Sequence, residues 1–329
     1  MSSLAPLLEA FFIDRLMEQR GASGHTVAAY RDTFRLLLAF VQKETGIPPA
    51  DLALVQLDAA QIGRFLTHLE KDRGNAPRTR NARLAAIHSF FRFVAIREPA
   101  NLALIQRVLA IPHKRFDRAL VTHLSAQEVD ALVDAPAHGS WLGDRDHALL
   151  TIAVQTGLRV SELIGLTVAD VILGDGAHVR CLGKGRKARC TPLRPQTVAV
   201  LRSWLKRLAA PSTAPLFPSR RGGALSRDAV ERLVAKHATA AARSCRSLVG
   251  KTVSPHVLRH TTAMQLLTAG VDCSVIALWL GHESVETTQI YLHADLSIKE
   301  RALARTAPAN IGTRRYRPPD ALLAFLEAL

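Results

Sequence analysis

The stretch Ser254-Pro255-His256-Val257-Leu258-Arg259-His260 holds residue types at spacings that allow chemistry. Ser254 is a good helix N-cap and Pro255 suits the first helical position. His256 and Arg259, three apart, then share a face in the first turn. Free backbone N–H groups and the helix dipole favour an anion there, so an imidazole and a guanidinium make a phosphate site. A capped surface helix with incidental polar residues would read the same way. Further on, Leu280-Gly281-His282-Glu283-Ser284 closes a helix, and Tyr291 follows in Thr287-Thr288-Gln289-Ile290-Tyr291-Leu292-His293. A lone tyrosine is ordinarily a half-buried packing residue. Upstream, Thr156-Gly157-Leu158-Arg159-Val160-Ser161-Glu162-Leu163 puts an arginine just past a helix-ending glycine. Glu162, three residues on, either orients Arg159 or forms an ordinary surface ion pair with it.

The elements that must position these groups follow from periodicity. The first hundred or so residues read as helical. Leu4, Leu7, Leu8, Phe11 and Phe12 recur at helical spacing, as do Val27, Phe34, Leu37, Leu38 and Val41. A third helix follows Asp58, and a fourth runs from about Arg78 to Val94 with Leu84, Ile87, Phe91 and Val94 on one face. Its other face is read as Arg78, Asn81, His88 and Arg92, with Arg80 and Arg83 alongside. Between Ala100 and Ala119 the pattern loosens, and Pro112, His113, Lys114, Arg115 and Arg118 mark a basic linker. Ser125-Ala126-Gln127-Glu128 is a capping box that opens a second domain. A helix from about Asp144 to Gln155 stops at Gly157. His178–Leu182 and Ala188–Leu193 flank Gly183-Lys184-Gly185-Arg186 as a β-hairpin, with Arg186 and Lys187 beside Lys184. Helical patterns resume at Pro195–Leu208, Ser226–Cys245, Pro255–Ala269 and Cys273–Leu280.

The chain has 329 residues, 48% of them hydrophobic, which is ample for two packed cores. Its formal charge of +15 suits a polyanion, since each neutralised phosphate releases condensed counterions. The charge is spread along the chain rather than gathered on one amphipathic segment, so nucleic acid is expected before a membrane surface. No stretch approaches a membrane span, and the N-terminus lacks the basic region of a signal peptide. The four cysteines have no zinc-ligand spacing. Cys181 and Cys190 would face each other if the hairpin turn is tight, and are expected to stay reduced.

Together these pieces resemble the tyrosine recombinase (phage integrase) family over roughly residues 5–300. The resemblance rests on TGLRVSEL, HVLRH, LGHES and YLH, in the family's order and spacing. It implies a catalytic set of Arg159, Lys184, His256, Arg259, His282 and Tyr291, with Glu162 supporting Arg159. His260 is expected to be a packing or hydrogen-bonding residue. DNA contacts are expected at Arg78, Arg80, Arg83, His88, Arg92, Lys114, Arg115, Arg186 and Lys187, with Arg186 and Lys187 competing for the role given to Lys184. The implied fold is multidomain, α and α+β. It comprises a helical SAM-like core-binding domain (1–105), a linker (106–120) and a mixed, mainly helical catalytic domain with a small antiparallel sheet (121–300). A tail (301–329) follows, whose apolar helix after Pro319 docks on a neighbouring protomer.

The residue types then dictate roles. Two arginines stabilise charge on the non-bridging oxygens, and a base, His256, takes the proton of a phenol that titrates near 10. Lys184 protonates the leaving 5′-oxygen, and His282 hydrogen-bonds the phosphate. No metal or cofactor is expected, the arginines supplying the charge that two metals give elsewhere. The implied partners are double-stranded DNA with paired inverted half-sites and a homo-tetramer on it, with or without a partner recombinase, in the cytoplasm on the nucleoid. The early start of the first helix leaves no room for an arm-binding domain, so a simple-site enzyme is expected, Xer-like or serving a mobile element. A type IB topoisomerase or an inactive DNA-binding accessory protein are the alternatives.

Overall fold

The computed structural model describes residues 3–116, 121–183, 188–282 and 288. The chain divides into two compact units, Met1–Arg118 and Ala119–Leu329.

The first unit is helical: α1 (Leu4–Ala10), α2 (Gly24–Thr45), α3 (Ala59–Lys71), α4 (Pro77–Arg97) and α5 (Leu102–Leu109). The helical start at Leu4 continues past α1 as a π-helical segment, Phe11–Gln19, which seats Phe11 at the centre of the core. Phe11 meets Phe90 edge-to-face at 5.5 Å between ring centroids, and Phe34 meets Phe90 in the same way at 5.3 Å. Such pairs add about 0.5–1.5 kcal/mol beyond the area they bury. Ser23 and Asp58 cap α2 and α3 through their side chains, and Gly46 ends α2 in the left-handed conformation.

Two expectations change here. The loosened stretch after Ala100 contains α5, whose Ile105 and Val108 are fully buried in the same core, so the expected linker start at 106 falls inside a packed helix. Its apolar spacing is short, and the proline-marked segment beyond it masked the pattern. His88 does not share the polar face of α4. It lies four residues after Leu84 and three before Phe91, which is the core face, and it is buried with Nε2 3.1 Å from the Val108 carbonyl oxygen.

The second unit opens with α6 (Ala126–Asp134), closed by the capping box between Ser125 and Glu128. Then follow α7 (Trp141–Thr156), α8 (Val160–Ile164), strands β1 (Val171–Ile172), β2 (His178–Leu182) and β3 (Ala188–Pro192), and helices α9 (Pro195–Leu208), α10 (Arg227–Ala241), α11 (Pro255–Thr268) and α12 (Cys273–Leu280). The strands form one antiparallel sheet in the order β1-β2-β3. Helix α7 is the spine, with Ala148, Leu149, Leu150 and Ile152 inaccessible. It packs on α11, where the Thr262 hydroxyl donates to the Val154 carbonyl at 2.6 Å. A buried trio, Arg145, Asp146 and His237, ties α7 to α10, with Asp146 2.9 Å from His237 Nε2.

The hairpin register corrects the cysteine pairing. Arg180 lies opposite Cys190 and Cys181 opposite Arg189, one residue off a direct Cys–Cys pair. Because side chains alternate along a strand, Cys181 faces inward and Cys190 outward. Both are free thiols, and burial pushes Cys181 up to about 11. The same alternation turns Arg189 inward. The hairpin tip, with Lys184, Arg186 and Lys187, lies outside the described residues.

Candidate active site

Gly157 and Gly281 bring the site together. Gly157 ends α7 with φ +62°, and Gly281 ends α12 with φ +65°, both in the left-handed region that glycine tolerates. A Cβ on Gly157 would lie 2.6 Å from Leu280 Cδ2, so the α7–α8 turn and the end of α12 touch only because position 157 has no side chain. The carbonyl oxygens left unpaired at these helix ends become acceptors for two arginines.

Arg259, in the first turns of α11, is buried. Its Nη1 donates to the Gly157 carbonyl and its Nη2 to the Leu280 carbonyl, each at 2.7 Å. Arg159, in the turn before α8, donates from Nη2 to the next carbonyl, Gly281, at 2.8 Å. The two guanidinium groups, a hundred residues apart in sequence, thus converge on consecutive carbonyls of one helix end. Arg159 also donates from Nη1 to Glu162 Oε1 at 2.9 Å, while its backbone N–H bonds Glu162 Oε2 at 2.8 Å. With its side chain 34% exposed, Arg159 keeps an open edge toward solvent.

Glu162 has a second partner that sequence reasoning missed. Arg189 on β3 donates Nη1 to Oε1 at 2.9 Å and Nη2 to Oε2 at 2.8 Å, a bidentate fork. Burial raises the Glu162 pKa, but Arg189 and Arg159 outweigh it and hold the carboxyl below its ordinary range. The carboxylate is therefore ionised beside two cations.

His282 follows Gly281 directly, with Nδ1 2.7 Å from the Thr288 hydroxyl. Burial, then the charges of Arg259, Arg159 and Arg189, push it down to about 4. His260 is also pushed down to about 4, by burial and then by His256 and Arg259. His256 is exposed on the first turn of α11, capped by Ser254, and its ring centroid lies 4.6 Å from that of His260. The region is thus a concentrated positive field with the neutral imidazoles of His260 and His282 at its edge, suited to an anion. Arg159, Glu162, Arg259 and His282 are brought together, with His256 on the same helix as Arg259. Lys184 and Tyr291 lie outside the described residues.

The expected DNA contacts divide by exposure. Arg78, Arg92 and Arg115 are exposed. Lys114 is exposed but paired with Glu70 at 3.0 Å. Arg80 donates to the Pro112 carbonyl at 3.1 Å, and Arg83 to the Ala29 carbonyl and the Thr33 hydroxyl at 3.0 and 2.9 Å. Both are half-buried staples of the first unit. Elsewhere, Asp134, His138 and His147 place ligand-type atoms within 4.8 Å of one another. His147, however, already uses Nδ1 on the Val133 carbonyl at 2.8 Å, and it precedes the Gly157 end of α7 by about 15 Å of helix. Among the described residues no helix is long and apolar enough to cross a membrane.

Residues 122–297 match the phage integrase family, and residues 10–98 match the SAM-like N-terminal domain of phage integrases. A Sinorhizobium fredii protein provisionally named integrase/recombinase y4rC is 56% identical over 328 residues, covering 100% of this chain and 99% of that one. Tyrosine recombinase XerC of Pelobacter propionicus is 36% identical over 305 residues, covering 89% and 93%. Among solved structures, the XerH recombinase bound to its palindromic difH substrate after cleavage superposes with a TM-score of 0.66 at 21% identity, over 87% of this chain and 81% of that one. That likeness speaks to the fold.

Proposed function

The chain belongs to the phage integrase family, the tyrosine site-specific recombinases, and we propose that it acts through Tyr291 on a phosphodiester held by Arg159 and Arg259. The observation that carries this reading is the convergence of those two arginines on the consecutive carbonyls of Leu280 and Gly281, beside His282.

The chemistry follows from that arrangement. The guanidinium groups bind the non-bridging oxygens and stabilise the charge that grows on them in the transition state. Tyr291 Oη attacks phosphorus while His256 takes the phenolic proton. The bond to the 5′-oxygen breaks, and Lys184 supplies the proton that makes it a hydroxyl. His282, neutral at pH 7, donates a hydrogen bond to the phosphate. One phosphodiester is exchanged for a 3′-phosphotyrosyl ester, so the reverse attack by a partner's 5′-hydroxyl rejoins strands without ATP.

The partner in this reading is double-stranded DNA with inverted half-sites, held by the helical unit through exposed basic residues such as Arg78, Arg92 and Arg115. Four protomers form the synapse; the apolar segment after Pro319, expected to dock on a neighbour, lies outside the described residues. The biological role in this reading is integration and excision of a mobile element or Xer-like dimer resolution, in line with relatives named integrase/recombinase and XerC.

A nicked half-site substrate, which lets the cleaved 5′ end diffuse away, tests the proposal. On it a covalent protein–DNA adduct that survives denaturant is expected, and on a supercoiled plasmid carrying two intact sites the expected product is recombination between them. Relaxation of supercoils without any joint product would instead indicate a topoisomerase, and no adduct would remove the catalytic reading.

A further inference from the structure

We infer that Arg189 on β3 is a positioning residue that sets Arg159 in place through Glu162; the inference rests on the recombinase reading above.

A carboxylate offers about four lone-pair sites. Those of Glu162 are filled by four N–H groups: Oε1 takes Arg159 Nη1 and Arg189 Nη1, and Oε2 takes the Arg159 backbone and Arg189 Nη2. With Arg159 alone, half of those sites would be empty and each carboxylate oxygen would be held by a single N–H group. The Arg189 fork fixes the carboxylate plane. Glu162 in turn fixes the backbone and one edge of the Arg159 guanidinium.

Arg189 also touches the second support of Arg159. A Cβ built on Gly281 would collide with Arg189 Nη1 and lie 3.1 Å from its Cζ, so the Arg189 side chain rests directly on the peptide whose carbonyl receives Arg159 Nη2. One guanidinium, its side chain only 12% exposed, thus braces both groups that orient Arg159. The charges agree with this division of labour. Arg189 spends its fork on the carboxylate, which leaves the surplus positive charge of the trio at the more exposed Arg159.

The strand register explains how the residue arrives there. Arg189 lies opposite the buried Cys181, so its side chain enters the unit rather than solvent. Because it stands on β3, the placement of Arg159 depends on the sheet being formed.

The test uses single-turnover cleavage of the nicked half-site substrate by the full chain. Arg189→Lys keeps a cation beside Glu162 but cannot donate a planar fork. It is expected to lower the cleavage rate constant by about 100-fold, as misplacing a catalytic group does. Half-site affinity and the tryptophan-fluorescence melting midpoint should stay near wild type, which separates positioning from unfolding. On a substrate whose bridging 5′-oxygen is sulfur, Lys184→Ala should recover, because thiolate leaves without a proton. Arg189→Lys should not recover, because its defect lies at the arginine clamp. Adding Arg189→Lys to Glu162→Gln should cost little beyond Glu162→Gln alone. Wild-type cleavage by Arg189→Lys, its rescue by sulfur, or full additivity with Glu162→Gln would each overturn this inference alone. A wild-type protein that forms no adduct would overturn the recombinase reading with it.

Discussion

Replacing Glu162 by glutamine should destabilise the second unit selectively, and the structure gives the size of the effect. The substitution keeps the side-chain shape but leaves two guanidinium groups facing a neutral amide in a site that is 7% exposed. Removing one partner of a buried ion pair costs about 3–5 kcal/mol. Arg159 is partly exposed and can turn to water, which screens its share, whereas Arg189 cannot. The lower end, about 3 kcal/mol, is therefore expected at pH 7. With a urea slope of about 2 kcal/mol per molar, the unfolding midpoint falls by about 1.5 M. Intrinsic fluorescence isolates the right unit, because Trp141, Trp204 and Trp279 all lie after residue 118. The pH dependence supplies a second check. The folded pKa of Glu162 is depressed, so its contribution is present above the unfolded value near 4.3 and is lost as pH falls through the folded one. The gap between wild type and variant should close in that acid range. A midpoint shift below about 0.5 M at pH 7, or a gap that stays constant with pH, would refute the reasoning.

His282 and His260 are held near 4, below the unfolded value near 6.5, so the second unit should lose stability as pH falls from about 6.5 toward 4. A bound phosphate should raise the His282 value, read as a ring shift by NMR titration with and without half-site DNA. His88→Ala should cost the first unit about 1–3 kcal/mol through the unpaired Val108 carbonyl, followed by circular dichroism, whereas Arg92→Ala should leave stability alone and weaken half-site binding. Cleavage should proceed in EDTA and binding should fall steeply with salt; a strict Mg²⁺ requirement for the chemical step would contradict the arginine clamp.

Local signals in the sequence proved readable wherever the cause was local. The Ser125–Glu128 box, the Ser254-Pro255 start of α11 and the glycine stops at 157 and 281 each follow from backbone hydrogen bonding within a few residues. The pairing of Arg159 with Glu162 has the same short range. Arg189 was illegible because its partner lies 27 residues away and only the hairpin register turns it inward. The register lies one residue from the Cys181–Cys190 pairing that a tight turn predicts, because turn chemistry alone does not fix the tip length. Helix α5 was hidden by its brevity and by Pro112 beyond it. His88 was assigned by its polarity when its spacing from Leu84 and Phe91 already placed it on the core face. The backbone carbonyls that Arg80 and Arg83 bond are not visible in sequence, because a guanidinium that binds phosphate and one that binds a carbonyl look alike there.

The central claim is that Tyr291 carries the DNA strand. Wild-type protein and Tyr291→Phe should be incubated with the nicked half-site substrate, and any adduct digested and mapped by mass spectrometry. The wild type is expected to yield one phosphotyrosyl peptide containing Tyr291, and Tyr291→Phe to bind DNA with unchanged affinity and yield none. An adduct that persists in Tyr291→Phe, or that maps to another residue in the wild type, would contradict the account.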